Sequence, residues 1–341
     1  MTTIIPPALE FTLDPSLEAS APTEKRNSSR SDVRLLLSDS TAGKVSHHWF
    51  SQIPTLLRPG DLMVVNNSAT VAASVPTSGG LLVHFSTELE KDVWLIELRQ
   101  PHGHSHSPYA GGLTGDTLQL PGKTRLRLLE PYSSRLWRAH ITGLDVLRLL
   151  ERHGAPIRYS YVDEAWPLSD YQTVFATEPG SAEMPSAGRP FTPEVVTKLV
   201  SAGIGIRPVT LHTGVSSLEG HELPYPERFD VPDYTARAVR STRANGGRVI
   251  AVGTTVVRAL ESAVDSTGEV QATSGLTSHI VTPTVGVQAV DGLLTGLHEP
   301  ASTHLAMLEA ISDHSMLHRS YREAIDQRYL WHEFGDVHLI L

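Results

Sequence analysis

Two histidines stand where a proton-transfer group could work. His212 closes the apolar run Val209-Thr210-Leu211, which reads as a strand, and in open α/β sheets ligands gather at strand ends. His298 lies just before Pro300-Ala301-Ser302-Thr303, which reads as a helix start. An imidazole can change charge near neutral pH, which makes it the first candidate for a general base. A histidine at a strand end can equally cap a loop. Thr254 and Thr255 follow Gly253 and open a helix, where backbone N–H groups can hold an anion or an oxygen; ordinary capping by threonine is the alternative. Arg258 and Glu261 share the face of that helix. They can pair with each other, or the rigid guanidinium fork can take a ligand carboxylate.

His102, His104 and His106 alternate, which on a strand would present three imidazoles to one side, as in some metal sites. Gly103, Ser105, Ser107 and the flanking Pro101 and Pro108 instead read as an exposed loop, so no metal site is expected. There is no phosphate-binding Walker loop, no G-x-G-x-x-G and no G-x-S-x-G elbow.

These residues need elements to hold them. The apolar run Arg248-Val249-Ile250-Ala251-Val252, the Gly253 turn and the helix carrying Val257, Leu260 and Val264 form a strand–turn–helix unit of α/β type. Thr192-Pro193-Glu194 starts another helix, with Val195, Val196, Leu199 and Val200 as its apolar face and Gly203 as its stop. Strands are expected at Val33–Leu37 and Arg207–Leu211, a turn at Asp39–Gly43, and a helix at Ser302–Ser312. Residues 15–32 are polar and read as an exposed loop.

Between Val71 and Leu144 the texture changes to short alternating segments around Leu81–Phe85, Val93–Leu98, Arg125–Leu129 and Leu136–Ile141, separated by glycine and proline. The expected fold class is therefore an α/β main domain (1–70 and 145–341) with a small β-barrel domain (71–144) inserted in it.

The chain has 341 residues, no Cys and a net charge of −9. Disulfides, thiolate metal sites and a cysteine nucleophile are excluded. No apolar run is long enough for a transmembrane helix, and the first residues lack the basic start and apolar core of a signal peptide. A cytoplasmic location without membrane contact is expected.

Several segments together resemble one family. Val252-Gly253-Thr254-Thr255-Val256-Val257-Arg258-Ala259-Leu260-Glu261-Ser262 is similar to the V-G-T-T-x-V-R-x-L-E-S signature of the S-adenosylmethionine:tRNA ribosyltransferase-isomerases of queuosine biosynthesis. Pro59-Gly60-Asp61-Leu62 with Asn66-Asn67, Tyr171-Gln172-Thr173-Val174-Phe175, Val209–His212 with Gly214, His298 with Pro300, Ser302 and Thr303, and Gly335-Asp336 follow in the family's order. The resemblance implies an α/β fold with an inserted β-barrel. It also implies transfer of the ribosyl part of S-adenosylmethionine to a 7-aminomethyl-7-deazaguanine base in tRNA. The sugar then rearranges to an epoxycyclopentanediol, and adenine and methionine leave. S-adenosylmethionine is then a substrate, and no cofactor is required.

On this resemblance His212, His298 and Glu261 are the expected catalytic groups, with Asp336 a further proton acceptor. Asn66, Asn67, Tyr171, Gln172, Thr173, Ser186, Gly188, Thr210, Gly214, Gly253, Thr254, Thr255, Arg258, Ser302 and Thr303 are expected to bind substrate. Tyr171 could stack on adenine and Gln172 read its edge, or the segment is simply a turn entering a strand; Arg258 would hold the methionine carboxylate.

The chain departs from the family at characteristic places. The family's T-[RK]-V-x-x-A-R reads here Ser68-Ala69-Thr70-Val71-Ala72-Ala73-Ser74, without either basic residue. Its A-P-T-A-G-L-H-F reads Met184-Pro185-Ser186-Ala187-Gly188-Arg189-Pro190-Phe191, and its H-x-G-x-G-T-F reads His212-Thr213-Gly214-Val215-Ser216-Ser217-Leu218. With the negative net charge, these losses predict weak grip on tRNA phosphates, or a different acceptor. The alternatives are a paralogue that acts on S-adenosylmethionine with a small acceptor or cleaves it, and a non-catalytic S-adenosylmethionine-binding protein.

Overall fold

The computed structural model describes residues 9–26, 28–102, 105–162, 164–215, 224–300 and 302–341. In chain order, a hairpin of β1 (Arg34–Asp39) and β2 (Lys44–Trp49) precedes the short helix α1 (Ile53–Leu56). β3 (Leu62–Asn66) and β4 (Ser68–Thr70) lead into β5 (Ser74–Pro76), β6 (Leu82–Glu90), β7 (Val93–His102), β8 (Ser105–Pro108), β9 (Thr117–Leu120), β10 (Thr124–Pro131) and β11 (Leu136–Thr142). After α2 (Val146–His153) come β12 (Glu178–Ser181), α3 (Pro193–Ser201), β13 (Gly205–Leu211), β14 (Glu227–Val231), α4 (Asp233–Ala244) and β15 (Val249–Val252). The chain ends with α5 (Thr254–Ser262), β16 (Thr273–Thr277), β17 (Gly292–Gly296), α6 (Thr303–Ile311), α7 (His314–Asp326) and β18 (Val337–Ile340).

The main sheet has nine strands in the order β16-β14-β13-β3-β15-β17-β18-β1-β2. Its centre, β13-β3-β15-β17, is parallel throughout. Parallel strands need cover on both faces, which explains why β15 and the first four residues of β3 are apolar without interruption. Alternate residues serve opposite cores: Leu62, Val64, Val249 and Ala251 join α4, α5 and α6 on one side. Met63, Val65, Ile250 and Val252 join α1 and α3 on the other. Thr192 caps α3 by accepting from Val195 N–H, as its sequence position predicts, and Gly203 ends it at φ +78°.

The second sheet runs β5-β6-β7-β11-β10-β9, with β8 folded back on β7. It is nearly closed: Ser78 N–H, just past β5, donates to the Gln119 carbonyl in β9 at 3.0 Å. The alternating residues predicted as strands supply its interior, including Val83, Phe85, Ile96, Leu98, Leu126 and Ile141. The fold is therefore α/β with a small inserted β-barrel. The chain enters and leaves the barrel side by side: Ser74 and Ala155 exchange backbone hydrogen bonds of 3.0 and 2.8 Å. Gly154 is needed there, because a Cβ would lie 2.0 Å from the Ala72 carbonyl oxygen.

Three sequence expectations need correction. Residues 15–32 are not an exposed loop. Leu17, Ala19 and Thr23 are buried, and Glu24 pairs with Arg30 and Arg189, so the segment is a strap fastened across the fold. Val200 belongs to no apolar face; it is 59% exposed. The histidine-rich segment is the β7–β8 hairpin, in which His102 faces Ser105. His104 lies outside the described residues, and among the described residues no cluster of His, Cys, Asp or Glu could hold a metal ion. No described helix is long and apolar enough to cross a membrane.

His338 stands on β18, two residues past Asp336. It is fully buried, its Nε2 lies 2.6 Å from Ser38 Oγ, and its Nδ1 has no partner. Burial pushes its pKa down to about 3. The unfolded chain therefore takes up this proton below about pH 6.5 while the folded chain refuses it, so stability falls as pH drops from 6.5. We expect His338→Met to reduce the loss of unfolding free energy between pH 6.5 and 4 by about 1–3 kcal/mol, read from urea transitions. An unchanged pH dependence would show that this ring is not the source.

Candidate active site

The carboxyl ends of the parallel strands are brought level by one side chain. Asn66, buried at the end of β3, accepts from Leu211 N–H at 3.1 Å and donates to the Leu211 carbonyl at 2.8 Å. It also accepts from Ser68 N–H and donates to Thr255 Oγ1. Asn67 accepts from Thr210 Oγ1 at 2.7 Å. These asparagines and Thr210 hold β3, β13 and α5 together, so their side chains are occupied by the scaffold.

Above these strand ends lies a cleft of about 450 Å³. It is floored by Gly253, Thr254 and Thr255 after β15 and by Leu297 and His298 after β17. Gly253 turns the chain into α5 at φ +97°, a conformation that costs glycine least. No side chain caps α5, and Thr254 and Thr255 of its first turn line the cleft. A smaller cavity of about 80 Å³ adjoins it, sharing Thr213, Thr254, Thr255 and His304.

Of the residues singled out in the sequence, Tyr171, Ser186, Gly253, Thr254, Thr255, His298 and Ser302 line the larger cleft. Gly214, Thr254, Thr255, Arg258 and Thr303 line the smaller one. Gln172 does not read a ligand edge: its amide donates to the Thr70 carbonyl at 2.7 Å and accepts from Thr70 N–H at 3.0 Å. Thr173 accepts from Phe175 N–H, and Gly188 packs on Thr173. Ser216, Ser217 and Leu218 lie outside the described residues.

Arg258 pairs neither with Glu261 nor with open space. Its guanidinium is bound to Glu227 and donates to the carbonyls of Tyr225, Thr277 and His279 at 3.2–3.4 Å. Both partners of the pair are over nine-tenths buried. Holding a methionine carboxylate would require breaking this set. Glu261 accepts from Gln288 N–H at 3.0 Å and Ala289 N–H at 2.8 Å, and burial raises its pKa against those bonds. It anchors a loop to α5 and lines neither cavity. Asp336 is likewise occupied, by Arg34 and by Leu330 N–H.

The two histidines separate. His298 lines the cleft, with Nε2 2.8 Å from Thr295 Oγ1 and its ring stacked on His304 at 4.7 Å. Burial first, then the neighbouring His304, His338 and His332, hold its pKa well below 6.5, so the ring is neutral at pH 7. His212 lines neither cavity. Its Nδ1 lies 2.7 Å from Ser68 Oγ, which is 2.6 Å from Ser181 Oγ, and its ring leaves no room for a Cβ on Gly180. Burial lowers its pKa to about 4. It orders the loop carrying Thr213, whose N–H donates to Ser181 Oγ.

Sequence reasoning missed one wall of the cleft, made of Tyr159, Tyr161, Glu183, Glu299, His332 and Glu333. Their only signals were the acidic, aromatic stretch before Tyr171 and the position of His332-Glu333 beside Phe334-Gly335-Asp336.

A family model described as a queuosine biosynthesis protein matches residues 7–340. The chain belongs to that family. A Symbiobacterium thermophilum protein named S-adenosylmethionine:tRNA ribosyltransferase-isomerase is 34% identical, with 97% of this chain and 98% of that protein aligned. A Thermotoga maritima protein of the same name is 31% identical at the same coverage. The crystal structure of an S-adenosylmethionine tRNA ribosyltransferase from Thermotoga maritima aligns with 97% of this chain and 99% of that one, at a TM-score of 0.56 and 28% identity.

Within this queuosine biosynthesis family the chain's departures are built in. Arg189, where the family motif has Leu, is 2% exposed. It donates to Glu24 at 2.8 Å and to the Asp170 carbonyl at 3.0 Å, and lies over the Phe334 ring. Ser74, where the motif has Arg, forms the buried neck of the barrel.

Removing one partner of a buried ion pair strands the other. Arg258→Ala should therefore lower stability by about 3–5 kcal/mol in urea unfolding, with Arg258→Ala/Glu227→Gln recovering part of it. Normal stability with selectively weakened S-adenosylmethionine affinity would instead make Arg258 a ligand contact.

Proposed function

We propose that the protein transfers and rearranges the ribosyl group of S-adenosylmethionine onto a 7-aminomethyl-7-deazaguanine base of tRNA, releasing adenine and methionine. The observation that carries this reading is the end-to-end match to relatives bearing that name, with the motif residues of α5 flooring a cleft of about 450 Å³. The same full-length match favours tRNA as acceptor over a small molecule, despite the missing basic residues. It also favours an enzyme over a binding protein.

The sulfonium makes the C5′ protons acidic, and a base must accept one of them. His298 is the sequence-selected histidine on the cleft, and its neutral ring can take a proton. His212 serves instead as a positioning group for the loop carrying Thr213, through Ser68 and Ser181. Ser302, whose buried Oγ has no hydrogen-bond partner, is available to a substrate hydroxyl. Tyr171, buried against Phe334, offers the cleft an aromatic ring.

The purified protein should release adenine from S-adenosylmethionine only when precursor-bearing tRNA is present, followed by mass spectrometry. His298→Gln should cut that turnover by about 10²–10⁴-fold with donor affinity nearly intact. Full turnover in that variant would remove His298 from proton transfer. Turnover without tRNA would overturn the acceptor.

A further inference from the structure

One wall of the larger cleft is a column of three rings. Tyr159 and Tyr161 stack at 5.6 Å, and Tyr161 and His332 at 3.9 Å, each pair within 9° of parallel. Every ring is backed by a carboxylate. The Tyr159 phenol donates to Glu183 and the Tyr161 phenol to Glu333. His332 has Nε2 3.6 Å from Glu18 and Nδ1 3.9 Å from Glu299.

The four carboxylates come from four separate segments of the chain, so no local sequence accident collects them. Among the described residues, none lining this cleft is Lys or Arg. Arg189, close outside the lining, is already paired with Glu24. His332 sits at φ +71°, unusual for a residue with a side chain, and is held there by a crowded turn: a Cβ on Gly335 would lie 2.4 Å from the Leu330 carbonyl oxygen. Its side chain is only 8% exposed, yet its Nε2 makes no hydrogen bond.

The chemistry of this wall selects by charge. A phosphate would meet four carboxylates, while the guanidiniums that act on this wall, Arg158 and Arg189, lie outside the lining, and Arg189 is committed to Glu24. A neutral base could stack and donate a hydrogen bond, but it carries no charge for the acids to attract. A cation gains from the carboxylates and from the electron-rich rings together. Each phenol has given its hydrogen to a carboxylate, so its oxygen turns lone pairs toward anything else that approaches.

We propose that the Tyr159–Tyr161–His332 wall with its four glutamates is the seat of the donor's sulfonium, and sets preference for S-adenosylmethionine over its uncharged thioether, S-adenosylhomocysteine. The assignment rests on the donor reading above and adds the residues that recognise the charge. It also explains why this corner of the fold tolerates a strained histidine: the turn places the third ring of the column.

Calorimetry with the full chain tests it. Wild type should bind S-adenosylmethionine at least about tenfold more tightly than S-adenosylhomocysteine. Tyr161→Leu should bring the ratio close to one while leaving thioether affinity unchanged, which also shows that the variant is folded. Glu299→Gln, at an exposed rim position, should lower the ratio about two- to threefold. Equal weakening of both ligands by Tyr161→Leu would mean that the rings only stack on adenosine, and would overturn the proposal. So would an unchanged ratio in both variants, or wild type binding both ligands equally. Wild type that binds neither ligand would strike down the donor reading itself, and this seat with it.

Discussion

The amide of Asn66 is the constraint on which the site depends. It satisfies both backbone groups of Leu211 and reaches Ser68 and Thr255, so one buried side chain fixes two strand ends and the first turn of α5. A buried amide is costly unless its bonds are made, and here they are shared among β13, β4 and α5. The cleft floor is accordingly rigid where Gly253-Thr254-Thr255 meets it. The parallel core supplies the other half of the constraint, because its strands are locked by two apolar faces at once.

Around that floor the structure commits its charges. Arg258 pairs with Glu227 and Arg189 with Glu24, while Arg248 and Asp61 clamp the opposite, amino ends of β15 and β3; each pair joins segments distant in sequence. The Glu24 pair is the most individual. A family position for leucine holds a guanidinium, and the N-terminal strap supplies its counter-charge. The same strap brings Glu18 to the cleft. The buried guanidinium and the strap are thus fastened to each other in this fold.

The fold was legible in the sequence because its signals are local. Val249–Val252 announces a two-sided strand, Thr192-Pro193 a helix start, and the alternating runs of residues 81–141 a half-buried sheet. The site was legible in part. Gly253–Thr255 and His298 could be placed, since strand ends and helix starts are written locally. The roles of Gln172, Arg258 and Glu261 could not, because their partners are the Thr70 backbone, Glu227 and the backbone of residues 288 and 289, none of them visible from spacing. Sequence pattern shows that a residue is polar and well placed, but not whether its bonds are already used. The ring column escaped for the same reason: Tyr161 and His332 meet across 171 residues of chain, and neither lies in a recognised motif.

The neck at Ser74 and Ala155 has a consequence for how such a molecule can be assembled and can change. Because the two crossings are hydrogen-bonded neighbours, the parent sheet closes over the barrel as it would over a hairpin turn. The entropy of joining the two ends is met once, locally, and grows only slowly with whatever is strung between them. The barrel can therefore lengthen, shorten or exchange its outer loops while the strand order β3–β13 beneath it stays the same. In this design the barrel is a replaceable head on a fixed handle, and divergence has room to act on one without disturbing the other.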